Sequence, residues 1–65
     1  MSDLSERLRF LQTDQNVLKK DISKTIGISV MGYYRYENGK RQPTADIIIK
    51  LCNYFEISSD YLLGL

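Results

Sequence analysis

Residues 18–41 read LKKDISKTIGISVMGYYRYENGKR, two stretches of helical period interrupted by a glycine. Leu18, Ile22 and Ile26 fall at i, i+4 and i+8, one stripe of a short helix. Gly27 stops it, and the chain restarts almost at once at Ile28 and Ser29. Ser29 is a good N-cap, because its hydroxyl accepts from an amide two or three residues on. Ile28 before it is placed to staple onto Tyr33, the fourth residue of the next helix. That helix is predicted over about Val30 to Asn38, with Gly39 at the left-handed position that follows.

Two helices joined by a turn of about three residues that begins with Gly read as a helix-turn-helix, here at about 18–38. Upstream, a first helix is predicted from Ser2 or Asp3, where Asp3 and Glu6 have capping-box spacing. Leu4, Leu8 and Leu11 make its buried stripe, and Asn16 suits a left-handed terminator. Downstream, residues 38–43 form a loop by composition. Thr44 caps a fourth helix whose inner face is Ala45, Ile48, Leu51, Cys52 and Phe55. Ser58 caps a last short helix with Ile57 and Leu62 at the staple positions, Leu62 and Leu63 in the core and Gly64 near its end. The Ile47-Ile48-Ile49 run is β-branched, but capped helical spacing on both sides outweighs three residues. The expected fold is all-α, with five short helices.

At 65 residues and 7.6 kDa, the sequence is read as one domain over 1–65. A domain of that size buries only ~60% of its unfolded surface and usually needs staples or very regular helix packing. Cys52 is the one cysteine and there is no histidine, so neither an intrachain disulfide nor a structural zinc site is expected. Without an imidazole base or a glycine-rich phosphate loop, and with its eight carboxylates scattered, the chain is not expected to be an enzyme. No cofactor, metal or small-molecule ligand is expected either, since a substrate-sized pocket is hard to build on this scale. Cys52 is placed as a core thiol. Residues 1–18 show no apolar signal-peptide stretch, and the longest apolar run, Ile47–Ile49, is far below the ~18 residues of a membrane span. A free cysteine and Met1 fit a reducing cytosol, so a cytoplasmic location away from membranes is expected.

The net charge of +1 hides an uneven distribution. Residues 19–41 hold six cations (Lys19, Lys20, Lys24, Arg35, Lys40, Arg41) and two anions (Asp21, Glu37), a net +4. The remainder holds three cations and six anions, a net −3. A basic middle between acidic ends gives one positive face, which suits a polyanion.

These residues carry a family resemblance. The stretch Ile26-Gly27-Ile28-Ser29, followed by Arg35-Tyr36-Glu37-Asn38-Gly39-Lys40-Arg41 and Pro43, resembles the phage-repressor-like (Cro/XRE) helix-turn-helix family. The ending Ile57-Ser58-Ser59-Asp60-Tyr61-Leu62-Leu63 looks like the family's closing helix, so the resemblance runs from about Leu4 to Leu63. It implies a compact five-helix lambda-repressor-like DNA-binding domain, a transcriptional regulator acting as a repressor, and a bacterial or phage host. Ile22, Ile26, Ile28, Tyr33 and Tyr36 fill the motif's apolar sites, Ser23 its small-residue site and Gly27 its turn.

With Tyr33 and Tyr36 inward, the third helix presents Val30, Met31, Tyr34, Arg35 and Asn38 outward. By resemblance, Val30, Met31, Tyr34 and Arg35 fall at base-contacting positions in the major groove. Arg35 suits a bidentate pair with guanine, Val30 and Met31 suit thymine methyl groups, and Tyr34 offers one hydrogen bond or packs on sugar. The plainer reading of Val30 and Met31 is packing on a neighbouring loop. Phosphate contacts are expected from Lys19 and Lys20 at the start of the second helix, and from Asn38, Lys40 and Arg41 after the third.

The sequence departs from the family at several points. The usual Ser/Thr cap and Gln are Leu18 and Lys19 here, and Gly32 replaces a Ser or Thr. The family's buried Arg–Glu pair becomes Gln12 with Glu37, for which a hydrogen bond is expected. Glu56 stands where a helix-ending Gly is common, leaving that turn's geometry open.

Relatives bind two-fold sites as dimers, so double-stranded DNA and a second copy of the chain are the implied partners. Tyr61 and Leu65, or the Ile47 and Tyr54 side of the fourth helix, are the candidate contacts. Two other readings compete: an antitoxin-like protein, and a protein-interaction module using the Val30–Met31 face with weak or no operator binding.

Overall fold

The computed structural model describes residues 4–65, and within them the chain forms five helices and no strand. These are α1 (Leu4–Asp14), α2 (Lys19–Ile26), α3 (Val30–Glu37), α4 (Ala45–Phe55) and α5 (Ser59–Leu63). The capping role expected of Asp3 lies outside the described residues.

All five helices stop in the same way. One or two residues past each helix end the chain takes a left-handed conformation: Asn16, Gly27, Gly39, Glu56 and Gly64, with φ between 56° and 82°. The next amide then reaches back five residues: Val17 to Gln12, Ile28 to Ser23, Lys40 to Arg35, Ile57 to Cys52 and Leu65 to Asp60, at 2.8–3.2 Å. This closure satisfies carbonyls the helix leaves unpaired and turns the chain sharply. Val17, Ile28 and Ile57, the residues just beyond three of the turns, pack on the core.

Four of these five positions hold Gly or Asn; Glu56 does not. It nonetheless adopts φ 59° and ψ 49°, which settles the turn that the sequence left open. A side chain with a Cβ is strained there by about 1–2 kcal/mol. A Glu56→Gly variant is therefore expected to be more stable by about 1 kcal/mol, some of the relief being offset by the looser unfolded chain. The check is a raised urea midpoint at unchanged m-value.

The helix starts follow their side-chain chemistry. Ser29 Oγ accepts from the Gly32 amide at 3.0 Å, Thr44 Oγ1 from Ile47 at 3.4 Å and Ser58 Oγ from Tyr61 at 3.1 Å. Leu18 precedes α2 without a side-chain cap and is exposed, so the apolar stripe that α2 buries is Ile22 and Ile26, with the small Ser23 beside them.

One core joins all five helices. Leu8 and Leu11 from α1, Ile22 and Ile26 from α2, Tyr33 and Tyr36 from α3, Leu51, Cys52 and Phe55 from α4, and Leu62 from α5 are buried together. α3 packs on α1 and α2, α4 on α2, and α5 closes over α1 and α4. Two residues expected in the core, Ala45 and Leu63, lie outside it. Ala45 is exposed, because the first residue of α4 precedes the turn that reaches the core. Leu63 is 43% exposed while Leu62 is fully buried, since neighbouring residues point about 100° apart on a helix and a five-residue helix turns one side inward. Cys52 is the expected core thiol, and burial raises its pKa.

Candidate nucleic-acid interface

The turn between α2 and α3 is short because both its ends are fixed locally. Gly27 ends α2, Ile28 sinks toward the core, and Ser29 opens α3 with extended backbone (φ −75°, ψ 157°). Tyr33, Tyr36 and Glu37 then form the inward side of α3.

The opposite side is open. Val30 is 46% exposed, Met31 59% and Tyr34 46%, so Val30 and Met31 are not packed under a neighbouring loop. Arg35 and Asn38 are exposed beside them. Past the left-handed Gly39, the amide of Lys40 bonds to the Arg35 carbonyl at 2.9 Å, which holds the start of the basic loop against the end of α3. Lys20, Lys40 and Arg41 are exposed, and with Arg35 they make no ion pair among the described residues. Five expected contact residues (Val30, Met31, Tyr34, Arg35, Asn38) are thus on or at the end of one helix, and two more (Lys40, Arg41) follow directly.

Lys19 differs. Its Nζ donates to Gln12 Oε1 at 2.8 Å and lies 3.3 Å from Glu37 Oε1, whose side chain is 3% exposed. The expected hydrogen bond between Gln12 and Glu37 does not form; an ammonium sits between them. Gln12 instead donates from Nε2 to the Val17 carbonyl at 2.9 Å. The positive face survives this pairing, because Lys19 and Glu37 cancel each other and leave five cations against Asp21 in residues 19–41.

Glu37 also shapes the core beside it. Burial first, then the neighbouring Glu37 carboxylate, push the Tyr33 phenol far above its ordinary value, so it stays protonated. Tyr33 Oη and Glu37 Oε2 are both buried, yet neither completes a well-directed hydrogen bond. The burial of Glu37 was expected from the family resemblance, which sets a buried pair at residues 12 and 37. Its cation was not, because no periodicity links residues 12, 19 and 37.

Gly32 sits on the third position of α3, and a Cβ there would lie 3.2 Å from Ser29 Oγ. The glycine gives the capping hydroxyl room. Among the described residues no group of three or more His, Cys, Asp and Glu side chains could hold a metal, and no helix is long and apolar enough to cross a membrane.

The helix-turn-helix family profile matches residues 10–62, which spans the end of α1 through α5. The chain belongs to the helix-turn-helix family. The phage-repressor-like resemblance holds among its relatives. The cryptic phage CTXphi transcriptional repressor RstR of Vibrio cholerae is 34% identical over 61 residues, 94% of this chain and 54% of its own length. The SPbeta prophage-derived uncharacterized HTH-type transcriptional regulator YonR of Bacillus subtilis is 34% identical over 58 residues, 89% of this chain and 54% of its own. This helix-turn-helix chain therefore spans about half the length of the curated relatives it matches. In fold, it superposes on the P22 c2 repressor, solved in complex with a synthetic operator, with a TM-score of 0.91 at 22% identity over 97% of this chain and 96% of that one. The all-α, five-helix architecture is that of a phage repressor domain.

Proposed function

We propose that this chain is a non-catalytic, cytoplasmic domain that binds double-stranded DNA by sequence and acts as a transcriptional repressor. The observation that carries the reading is the uncovered side of α3: Val30, Met31, Tyr34 and Arg35 in one stripe that runs into the basic loop at Lys40 and Arg41. A monomer rarely leaves such an apolar stripe open unless something covers it, and a basic rim suits a polyanion. Relatives named as transcriptional regulators and a phage repressor support the same reading.

In the mechanism, the N-terminal part of α3 enters the major groove. Val30 and Met31 meet thymine methyl groups, Tyr34 packs on sugar or gives one hydrogen bond, and Arg35 forks onto guanine O6 and N7. Lys20, Asn38, Lys40 and Arg41 meet phosphates and set register. A single copy, 27 Å in its longest dimension, does not reach two half-sites ~34 Å apart, so a palindromic operator is bound by a homodimer. The end of α5, where Tyr61, Leu63 and Leu65 are exposed, is the proposed contact between copies.

Selection from random duplexes at ~50 and ~200 mM salt tests this reading. A palindromic, partly A·T-containing motif with steep salt dependence is expected. No binding at either salt would overturn it in favour of a protein partner on the Val30–Met31 face. Arg35→Ala is expected to relax the preference at one base position by about 1–3 kcal/mol while leaving the rest of the motif in place. An unchanged motif would remove Arg35 from the readers.

A further inference from the structure

Lys19 is the first residue of α2, at the end of the helix where a cation would be expected to face phosphate. Its ammonium instead turns inward, 2.8 Å from Gln12 Oε1 and 3.3 Å from Glu37 Oε1. The Gln12 amide is oriented for this, because its Nε2 is spent on the Val17 carbonyl at 2.9 Å and its oxygen is left to accept. One ammonium therefore joins α1, the start of α2 and the last residue of α3.

Two anions compete for that ammonium when DNA is bound. A DNA phosphate is solvated and screened by salt, whereas the Glu37 carboxylate is 3% exposed and screened much less. Moving Lys19 to a phosphate would leave a buried charge without its partner, the more costly of the two separations. We infer that Lys19 is a positioning residue: it neutralises Glu37 and fixes the start of α2 against the end of α3, and phosphate contact at the start of α2 falls to Lys20. Those two helix ends carry the proposed phosphate contacts, so the spacing between them is set by a side chain that gives none of its charge to DNA.

The inference rests on the DNA-binding reading for one of its two measurements only. The salt dependence of affinity for the selected duplex and the urea midpoint are measured for Lys19→Gln, Lys20→Gln and the double variant Lys19→Gln/Glu37→Gln. Lys20→Gln is expected to flatten the salt slope by about one per protomer at an unchanged midpoint. Lys19→Gln is expected to lower the midpoint and weaken binding with the slope unchanged. Removing the stranded carboxylate in the double variant is expected to recover most of both losses, again at the parental slope. A slope reduced by about one per protomer in Lys19→Gln at an unchanged midpoint would overturn the inference, as would a double variant less stable than the single one. If Lys19→Gln does not fold, the double variant decides through its slope. If the parent binds no duplex, the DNA reading fails, while the midpoints still test the pairing of Lys19 with Glu37.

Discussion

Replacing Lys40 and Arg41 together with alanine is expected to weaken DNA binding about a hundredfold for each protomer on the duplex, on every sequence alike. Both side chains are exposed, and neither makes an ion pair among the described residues, so the fold does not depend on them. What holds the loop is backbone: the left-handed Gly39 and the bond from the Lys40 amide to the Arg35 carbonyl at 2.9 Å. Alanine keeps that amide, and stability should change by less than about 0.5 kcal/mol. Each charged hydrogen bond to phosphate is worth about 1.5–3 kcal/mol, roughly tenfold or more in affinity. Each also releases counterions, so the salt slope should fall by about 0.9 per residue and protomer. Affinities for the selected duplex and for an unrelated one, each measured across a salt series, check both parts. A loss confined to the selected sequence would mean that the pair reads bases instead of holding phosphates.

The second large effect concerns the core. Leu51 is fully buried on α4, the helix that packs on both α2 and α5. Leu51→Ala is expected to cost about 2–5 kcal/mol, the sum of lost transfer energy and the cavity left behind. A domain of this length holds about 3–10 kcal/mol in all, at 0.05–0.15 kcal/mol per residue. The substitution therefore removes a large share of the stability. A fall in Tm of at least about 10 °C is predicted for a domain this small, followed by circular dichroism at 222 nm. A shift of only a few degrees would mean that α4 repacks around the gap.

Most of the fold could be read from the sequence because its signals are local. The hydroxyls of Ser29, Thr44 and Ser58 cap the helices that follow them, and Asn16, Gly27, Gly39 and Gly64 end helices in the left-handed region. Each of these readings needs only a few neighbouring residues. Glu56 carried no such signal; its left-handed turn is imposed by Ile57, which packs on the core while its amide reaches Cys52. Ala45 and Leu63 have helical spacing that fits burial, but they sit at the ends of their helices, where spacing no longer decides which side meets the core.

The outward stripe of α3 was legible for the converse reason. Tyr33 and Tyr36 are large, three residues apart and need burial, so Met31 and Tyr34 face away and Val30 lies on the flank between, half exposed. The partner of Glu37 was not legible. Gln12, Lys19 and Glu37 come from three helices or their ends, and only the packed chain brings Lys19 Nζ to both of the others. Lys19 looked like a surface cation because lysine at a helix start usually is one.

The most direct measurement is a titration of the 15N-labelled protein with the selected duplex, following its backbone amide signals. Changes are predicted to concentrate at residues 30–35 of α3 and at 38–41 beyond it, with a second set at the end of α5 where the copies meet and α4 largely unmoved. Binding accompanied by changes centred on α4, with residues 30–35 unaffected, would contradict the account by placing the DNA on another face of the molecule.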